Sequence, residues 1–254
     1  MILRGTLLVV MESSGTHPRF MRRWTLSFLG TMVLMSASLT PGQASHYSWL
    51  GHSSEVPPNS TSLGTFSPTF YRVLDETRWP TGERTQELLT REGQLIARVT
   101  PDFRRQLDTE GSARLRDGRI VNIEERVGGG MRYLIVQGAP FGVGAPGYRL
   151  VPYRTIAVDP RRIKLGTVLY VPALVGITLP TGEVHDGFGF AHDTGRGIIG
   201  NRIDVFVGFE GDRDNTLTRS GRIESQERIP VYAIDGATAR AVNARFAREF
   251  TWHE

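Results

Sequence analysis

The sequence of 254 residues contains no cysteine and only one lysine, Lys164. Without cysteine the chain forms no disulfide and has no thiol for lipid attachment, so its stability depends on its core. Long apolar runs are also missing. The longest, Leu26–Leu39, has about 14 residues, fewer than the roughly 20 that a membrane-spanning helix needs. These absences exclude a disulfide scaffold, a lipid-anchored protein and a polytopic membrane protein.

The composition is that of a globular protein, with 39% hydrophobic and 22% charged residues. The 29 glycines and 14 prolines argue against a helical bundle and favour short strands joined by turns. The formal net charge is +4, but residues 1–44 hold four arginines and one glutamate. Removing them leaves 26 basic and 25 acidic residues, so we do not expect a nucleic acid as partner.

Residues 1–44 are predicted to be an N-terminal extension followed by a secretory signal peptide. Arg22 and Arg23 precede the apolar run Leu26–Leu39, and Gly42-Gln43-Ala44 supplies small residues for cleavage after Ala44. Because residues 1–20 fit no part of this pattern, translation is expected to start at Met21. The sequence therefore predicts export to the periplasm or cell wall, with no integral membrane segment after cleavage; an uncleaved anchor is the alternative.

The remaining chain divides into a predicted linker, residues 45–64, and one domain, residues 65–254. Residues 83–132 contain short strand-like pieces with turns at Asp117-Gly118 and at residues 128–130, and five more strand candidates follow residue 149. One amphipathic helix is expected at residues 236–250, capped by Asp235. The pattern predicts a mainly β fold, consistent with a barrel.

Four local patterns favour ordinary structural roles. The GxGxxG match at residues 142–147 is followed by a strand rather than a helix, so it indicates a loop and not a dinucleotide site. Only one Asp-Thr-Gly triplet occurs, at residues 193–195, whereas an aspartic protease needs two carboxylates that share a proton. The pairs His185-Asp186 and His192-Asp193 match no compact metal-ligand spacing and favour hydrogen-bonded histidines. The arginines at 104, 105, 114, 116 and 119 favour a solvated strand face over a track for an anionic polymer.

The strongest constellation is a set of three aspartates, Asp159, Asp193 and Asp204, each at or near the end of an apolar β run. The three glycines between Asp193 and Asp204 allow a tight connection that brings strand ends together. Two carboxyls held close together raise the pKa of one of them, as does burial, and a protonated carboxyl can act as a general acid. Capping of turns by these aspartates explains the spacing equally well.

At these residues the chain resembles a known family. Residues 154–209, which include IAVDPRRIKLGTVLYVP and FAHDTGRGIIGNRIDVFVG, are similar to the three-aspartate (3D) domain. The membrane-bound lytic transglycosylase A family and bacterial stationary-phase survival proteins share that domain. The likeness extends to Thr69-Phe70-Tyr71 and to Val231-Tyr232.

The resemblance implies a six-stranded double-psi β-barrel, with an inserted β subdomain at about residues 75–139 and a C-terminal helix. It implies a peptidoglycan lytic transglycosylase that cleaves the MurNAc–GlcNAc bond and forms 1,6-anhydro-MurNAc, without metal or cofactor. Asp204 is then the single catalytic acid/base, Asp193 supports it by hydrogen bonding, and Asp159 has a mainly structural role. Substrate contacts are expected from Thr69, Tyr71, Thr194, Gly195, Arg196 and Arg202.

The chain departs from the family pattern DTGGAIKG at three places, which Arg196, Gly197 and Ile199 occupy. The family lysine is replaced by Ile199, and Arg196 or Arg202 is the expected substitute. The inserted segment is expected to form one wall of a glycan groove, with Trp79, Tyr133 or Tyr148 as sugar-stacking rings unless they pack in the core. The alternative functions are a non-catalytic barrel that binds the cell wall and, with less support, an aspartic-type hydrolase.

Overall fold

The computed structural model describes residues 55–145, 147–224 and 227–251. The predicted signal peptide and residues 45–54 of the predicted linker lie outside the described residues. Within them the protein is mainly β with a few helices, as predicted. No helix in this part of the chain is both long enough and apolar enough to cross a bilayer.

The described elements follow one another in a simple order. They are β1 (Ser60–Tyr71), β2 (Leu74–Asp75), β3 (Gln86–Leu89), β4 (Leu95–Val99), α1 (Pro101–Glu110), β5 (Ser112–Arg114), β6 (Ile120–Val127), β7 (Gly130–Val136), β8 (Thr155–Val158), β9 (Val168–Tyr170), β10 (Phe188–Asp193), β11 (Arg202–Phe206), α2 (Thr216–Arg219), β12 (Ile229–Ile234) and α3 (Gly236–Phe250).

Six strands form a closed ring in the order β1-β11-β8-β10-β9-β12. The ring closes because β12 pairs with β1 in an antiparallel ladder. Two neighbouring pairs are parallel, β1 with β11 and β8 with β10. The strand order establishes a closed six-stranded barrel, and the double-psi crossing of its connections stays a prediction.

Alternate residues of these strands fill the barrel. Ile156 and Val158 of β8, and Ile203 and Val205 of β11, belong to one buried apolar cluster. Because successive side chains of a strand point to opposite faces, the residues between them face outward. Those residues are Ala157 and Asp204.

The chain between β1 and β8 forms two smaller sheets, β2-β5-β6-β7 and β3-β4, with helix α1. They share an apolar cluster of their own, which includes Leu88, Phe103, Val121 and Tyr133. This segment corresponds to the one predicted as an insertion at about residues 75–139, and its status as an inserted subdomain stays a prediction.

Helix α1 corrects the expectation of strands in this region. Thr100 caps it by accepting a hydrogen bond from the Phe103 N–H at 3.3 Å, Pro101 occupies its first turn, and Gly111 ends it at φ +88°. Arg104 and Arg105 therefore lie on a helix rather than on a strand face. Thr100, Pro101 and Gly111 are start and stop signals of a helix that can be recognised in the sequence.

The boundary of the predicted linker is also wrong. The linker was expected to extend to Gly64, but β1 begins at Ser60, and residues 60–64 pair with β12. A register shift between Ser62 and Gly64, where Gly64 has φ +90°, gives this part of β1 its irregular pattern. The polar residues 60–64 therefore belong to a strand of the barrel and not to the linker.

Helix α3 has the predicted bounds and covers the outer face of the barrel. Its residues Val242, Phe246 and Phe250 pack in one cluster with Phe188 and Phe190 of β10. Asp235 stands at the N-cap position as expected, although its side chain makes no capping hydrogen bond within the described residues.

A buried ion cluster links α3 to the barrel. Arg154 and Asp186, 2% and 4% exposed, form an ion pair, and Arg245 of α3 donates to the second oxygen of Asp186 at 2.6 Å. Arg154 also donates to the more exposed Glu183 at 2.8 Å and lies over the ring of Phe246. Asp186 therefore neutralises two arginines, one of them fully buried.

Removal of the Asp186 carboxylate is expected to destabilise the fold. Asp186→Ala leaves buried Arg154 without its main counter-ion and should lower the free energy of unfolding by about 3–5 kcal/mol. Glu183→Ala is the matched control, because its half-exposed carboxylate contributes only about 0–1 kcal/mol. Urea unfolding measures both variants, and equal losses would contradict the importance of the buried pair.

Candidate functional site

Two of the three aspartates lie in one row across the barrel. Asp193 on β10 is opposite Ala157 on β8, and Ala157 is opposite Asp204 on β11. Asp204 in turn pairs with Thr69 on β1. Neighbouring strands are about 4.8 Å apart, so one small side chain, that of Ala157, separates the two carboxyl-bearing positions.

A β-bulge aims Asp193 into this row. Ala191 packs inside the barrel, so regular alternation would turn Asp193 inward as well. The register shifts between Ala191 and Asp193, and Asp193 is thereby paired with the outward-facing Ala157. The bulge is what brings Asp193 to the same face as Asp204.

That face forms the floor of a cavity of about 670 Å³. The floor carries Asp193, Asp204 and Arg202 of the barrel, and the opposite wall includes the end of α1 and parts of β5 and β6. The lining residues of this wall with polar side chains are Asp108, Thr109, Glu110, Ser112 and Asn122. The cavity therefore lies between the barrel and the segment that precedes it.

Asp193 is held by three hydrogen-bond donors. The Tyr71 hydroxyl donates to Oδ2 at 2.7 Å, and the N–H groups of Ala145 and Thr194 donate to Oδ1 at 3.1 and 2.8 Å. Burial raises the pKa of Asp193 above its ordinary value, and these three donors offset only part of that rise. The donors fix the orientation of this carboxyl and stabilise its charged form.

Asp204 is also buried but has fewer hydrogen-bond partners. Its Oδ1 is buried and has no hydrogen-bond partner among the described residues. Burial raises the pKa of Asp204 to about 6, and the negative charges of Glu110 and Asp193 act in the same direction against Thr69 and Arg202. Asp204 is thus a carboxyl that holds its proton into the weakly acidic range while its residue lines an open cavity.

Asp159 lies apart from the cavity lining. Its oxygens accept hydrogen bonds from the Arg161 side chain and from the Gly200 N–H, the latter at 2.8 Å. The side chain of Arg161 and the Gly200 N–H hold the pKa of this carboxyl far below its usual range. Asp159 therefore fastens the loop that connects Asp193 to Asp204.

The structure brings most of the predicted substrate residues to the cavity. The lining includes Tyr71, Thr194, Gly195, Arg196 and Arg202. Thr69 lies beside Asp204 in the ladder, and its hydroxyl donates to the Ile203 carbonyl at 3.4 Å. The Tyr71 hydroxyl donates its proton to Asp193, so Tyr71 contacts this aspartate directly.

The glycine-rich loop that sequence reasoning dismissed as a nucleotide site belongs to this site. It supplies the Ala145 N–H, and Gly144 permits its close approach to Asp193. A Cβ at Gly144 would lie 2.5 Å from the His192 carbonyl oxygen and 3.0 Å from Asp193 Cγ. Only glycine fits at that position without a shift of the backbone.

Sequence reasoning missed two polar residues of the opposite wall. Glu110 ends helix α1, accepts a hydrogen bond from the Arg72 N–H at 3.2 Å, and has a pKa raised by burial. Asn122 projects from β6 and bonds both polar groups of Val143. Recognition of α1 from its capping signals would have pointed to Glu110, whereas no sequence signal identifies Asn122.

His185 and His192 do not line the Asp204 cavity. His185 is fully buried, accepts a hydrogen bond from the Gly187 N–H at 2.9 Å through Nδ1, and donates from Nε2 to the Tyr153 carbonyl. His192 packs under Tyr148 at a centroid distance of 3.8 Å. No cluster of three candidate metal ligands occurs in residues 55–145, 147–224 and 227–251.

The three rings proposed for sugar stacking do not line the Asp204 cavity. Tyr133 is fully buried in the core of the smaller sheets. Trp79 packs edge-on against Phe103, and Tyr148 lines a separate cavity near α3. Core packing is thus the role of Tyr133, and the prediction of a stacking ring in this groove is wrong for all three.

Comparison with protein families agrees with the aspartate pattern. Residues 154–232 match the model described as the 3D domain. The matched region contains all three aspartates and runs from just before β8 into β12. No curated protein sequence matches the chain.

Solved structures with distant similarity are lytic transglycosylases by name. Escherichia coli MltA with bound chitohexaose is 15% identical over 68% of this chain and 72% of its own, with a TM-score of 0.44. A membrane-bound lytic murein transglycosylase from Agrobacterium tumefaciens is 17% identical over 74% and 78%, with a TM-score of 0.42. LtgG of Burkholderia pseudomallei is 20% identical over 70% and 73%, with a TM-score of 0.36.

The close contact at Gly144 gives a direct test of the site geometry. Gly144→Ala should lower the free energy of unfolding by about 1–3 kcal/mol, because the new methyl group overlaps the backbone of β10. Gly82→Ala is the control, since its Cβ would meet Thr100 Cγ2 at an ordinary 3.5 Å. Urea unfolding of both variants is the measurement, and a Gly144→Ala protein as stable as the control would show that the loop does not press on Asp193.

Proposed function

We propose that the chain is an exported peptidoglycan lytic transglycosylase. It cleaves the MurNAc–GlcNAc glycosidic bond and forms 1,6-anhydro-MurNAc, with Asp204 as its single acid/base. The substrate class and product follow from the resemblance of residues 154–209 to the 3D domain of lytic transglycosylases. The periplasmic location follows from the predicted signal peptide.

The observation that carries the proposal is the environment of Asp204. Burial and the neighbouring negative charges raise the pKa of this carboxyl to about 6, and the residue lines a cavity of about 670 Å³. A general acid must hold a proton at the working pH and must face the substrate. The raised pKa of Asp204 and its place in the cavity lining support this role.

The chemistry needs one carboxyl group. Protonated Asp204 donates its proton to the glycosidic oxygen as the bond to C1 of MurNAc breaks. The resulting carboxylate accepts the proton of the 6-hydroxyl of the same sugar, and that oxygen attacks C1 to close the anhydro ring. The second carboxylate that activates water in ordinary inverting glycosidases has no role, and Asp204 ends the cycle protonated.

Asp193 supports this cycle without transferring a proton. Its three donors stabilise the carboxylate form, and its charge opposes ionisation of Asp204. Arg196 and Arg202, which line the same cavity, are proposed to contact the glycan together with Thr194, Gly195, Tyr71 and Thr69. Asp159 keeps the intervening loop in place through the Gly200 N–H.

Asp204→Asn should abolish product formation while the fold survives. The amide has the same shape but cannot donate and then accept a proton, so release of anhydromuropeptides from sacculi should fall at least about a thousandfold. Mass spectrometry of the released material is the measurement. Asp235→Asn, which alters an aspartate that has no capping bond, is the matched control and should release products at the wild-type rate.

The same variant separates the proposal from the rival functions. A non-catalytic wall-binding barrel would pellet with sacculi in the wild type and in Asp204→Asn alike, and neither protein would create new glycan ends. Equal release of anhydro products by both proteins would eliminate Asp204 as the acid. An aspartic-type hydrolase would instead cleave peptide bonds and respond to pepstatin.

The rate should fall above the pKa of Asp204. Because the protonated form is the active one, kcat/KM is expected to drop by about tenfold per pH unit once the pH exceeds about 6. Glu110→Gln removes one negative charge that raises this pKa, so the alkaline fall should begin at lower pH. Rates of sacculus digestion from pH 4 to 9 test this, and a profile that rises above pH 7 would exclude Asp204 as general acid.

A further inference from the structure

The glycine-rich loop that reaches Asp193 is held from the other side of the cavity. Asn122, on β6, is 7% exposed and uses both ends of its amide on one residue of the loop. Its Nδ2 donates to the Val143 carbonyl at 2.6 Å, and its Oδ1 accepts from the Val143 N–H at 3.2 Å. Val143 lies two residues before Ala145, whose N–H donates to Asp193.

The loop has little freedom between these two contacts. A Cβ at Gly142 would lie 2.2 Å from Asn122 Oδ1, and Gly142 has φ +88°, a conformation that suits glycine. On the other side, a Cβ at Gly144 would lie 3.0 Å from Asp193 Cγ. Residues 142–145 are thus fixed between the amide of Asn122 and the carboxyl of Asp193.

We propose that Asn122 is a positioning residue: by clamping Val143 it aligns the Ala145 N–H with Asp193 and so orients this carboxylate toward Asp204. The sheet that contains β6 then lines the cavity and also positions the Ala145 N–H, one of the three donors to Asp193. The catalytic consequence rests on the proposed function, whereas the structural link does not.

Loss of the clamp should change how Asp193 titrates. With two well-placed donors instead of three, the charged form of Asp193 loses stability relative to the protonated form. A protonated Asp193 no longer opposes ionisation of Asp204. The other titratable or charged groups that share the cavity with Asp193 are Tyr71, Asp108, Glu110, Arg196, Arg202 and Asp204, and His192 precedes it on β10.

The test compares the full chain with two variants and one control. Asn122→Ala removes the clamp, and Asn122→Asp keeps the shape and the acceptor but places an oxygen against the Val143 carbonyl. Asn215→Ala is the matched control, because Asn215 is also buried and bonds backbone groups, but at the start of α2. Two readouts are taken, the Ala145 amide signal by NMR against pH and the pH profile of kcat/KM.

In the wild type the Ala145 amide is expected to follow the titration of Asp193 and to exchange slowly. In both Asn122 variants that pH-dependent shift should shrink, and amide exchange should speed up at least about tenfold. The acidic limb of the pH profile is the fall of kcat/KM at low pH as Asp193 takes up a proton. It should move up by about half to one pH unit in both variants. Asn215→Ala should leave these readouts unchanged even where it lowers the melting temperature.

The outcomes separate this inference from the proposed function. If both Asn122 variants fold and keep the wild-type Ala145 signal and acidic limb, the positioning role is overturned. If the Ala145 signal changes as expected while the wild-type chain releases no anhydro product, the clamp stands and the proposed function fails. Should Asn122→Ala not fold, Asn122→Asp decides by the same readouts.

Discussion

The site depends on one irregularity in a strand. In a regular β10, Asp193 would share a side with Ala191 and face the packed interior of the barrel. The bulge before Asp193 places it instead on the outward row with Ala157 and Asp204. The hydrogen-bond donors of Asp193 and the side chain of Arg202 lie around this row.

The two carboxyls of the row differ because their surroundings differ, not because of their residue type. Asp193 receives three hydrogen bonds, whereas Oδ1 of Asp204 is buried without a partner in the described part of the chain. Hydrogen bonds stabilise a carboxylate, and burial without them favours the neutral acid. Burial raises the pKa of both carboxyls, and the hydrogen bonds counteract that rise more fully at Asp193 than at Asp204.

Much of this could be predicted from the sequence, and the failures have physical reasons. The barrel strands and α3 were readable because their apolar alternation and helical periodicity are strong, and the aspartates stood out at strand ends. The bulge at Asp193 leaves no mark in the sequence, since it is a matter of pairing between strands. Helix α1 was missed because its capping signals at Thr100 and Gly111 were not weighed, and Glu110 was missed with it. The partners of Asn122 lie 21 residues away, beyond the reach of local patterns.

The packing of α3 has a consequence for the far side of the site. Phe190 and His192 of β10 lie against Phe250 at centroid distances of 4.5 Å, while the next residue, Asp193, faces the cavity. Strand β10 therefore packs against α3 through Phe190 and His192 and carries Asp193 at the cavity. Shortening α3 would therefore loosen the strand that carries Asp193.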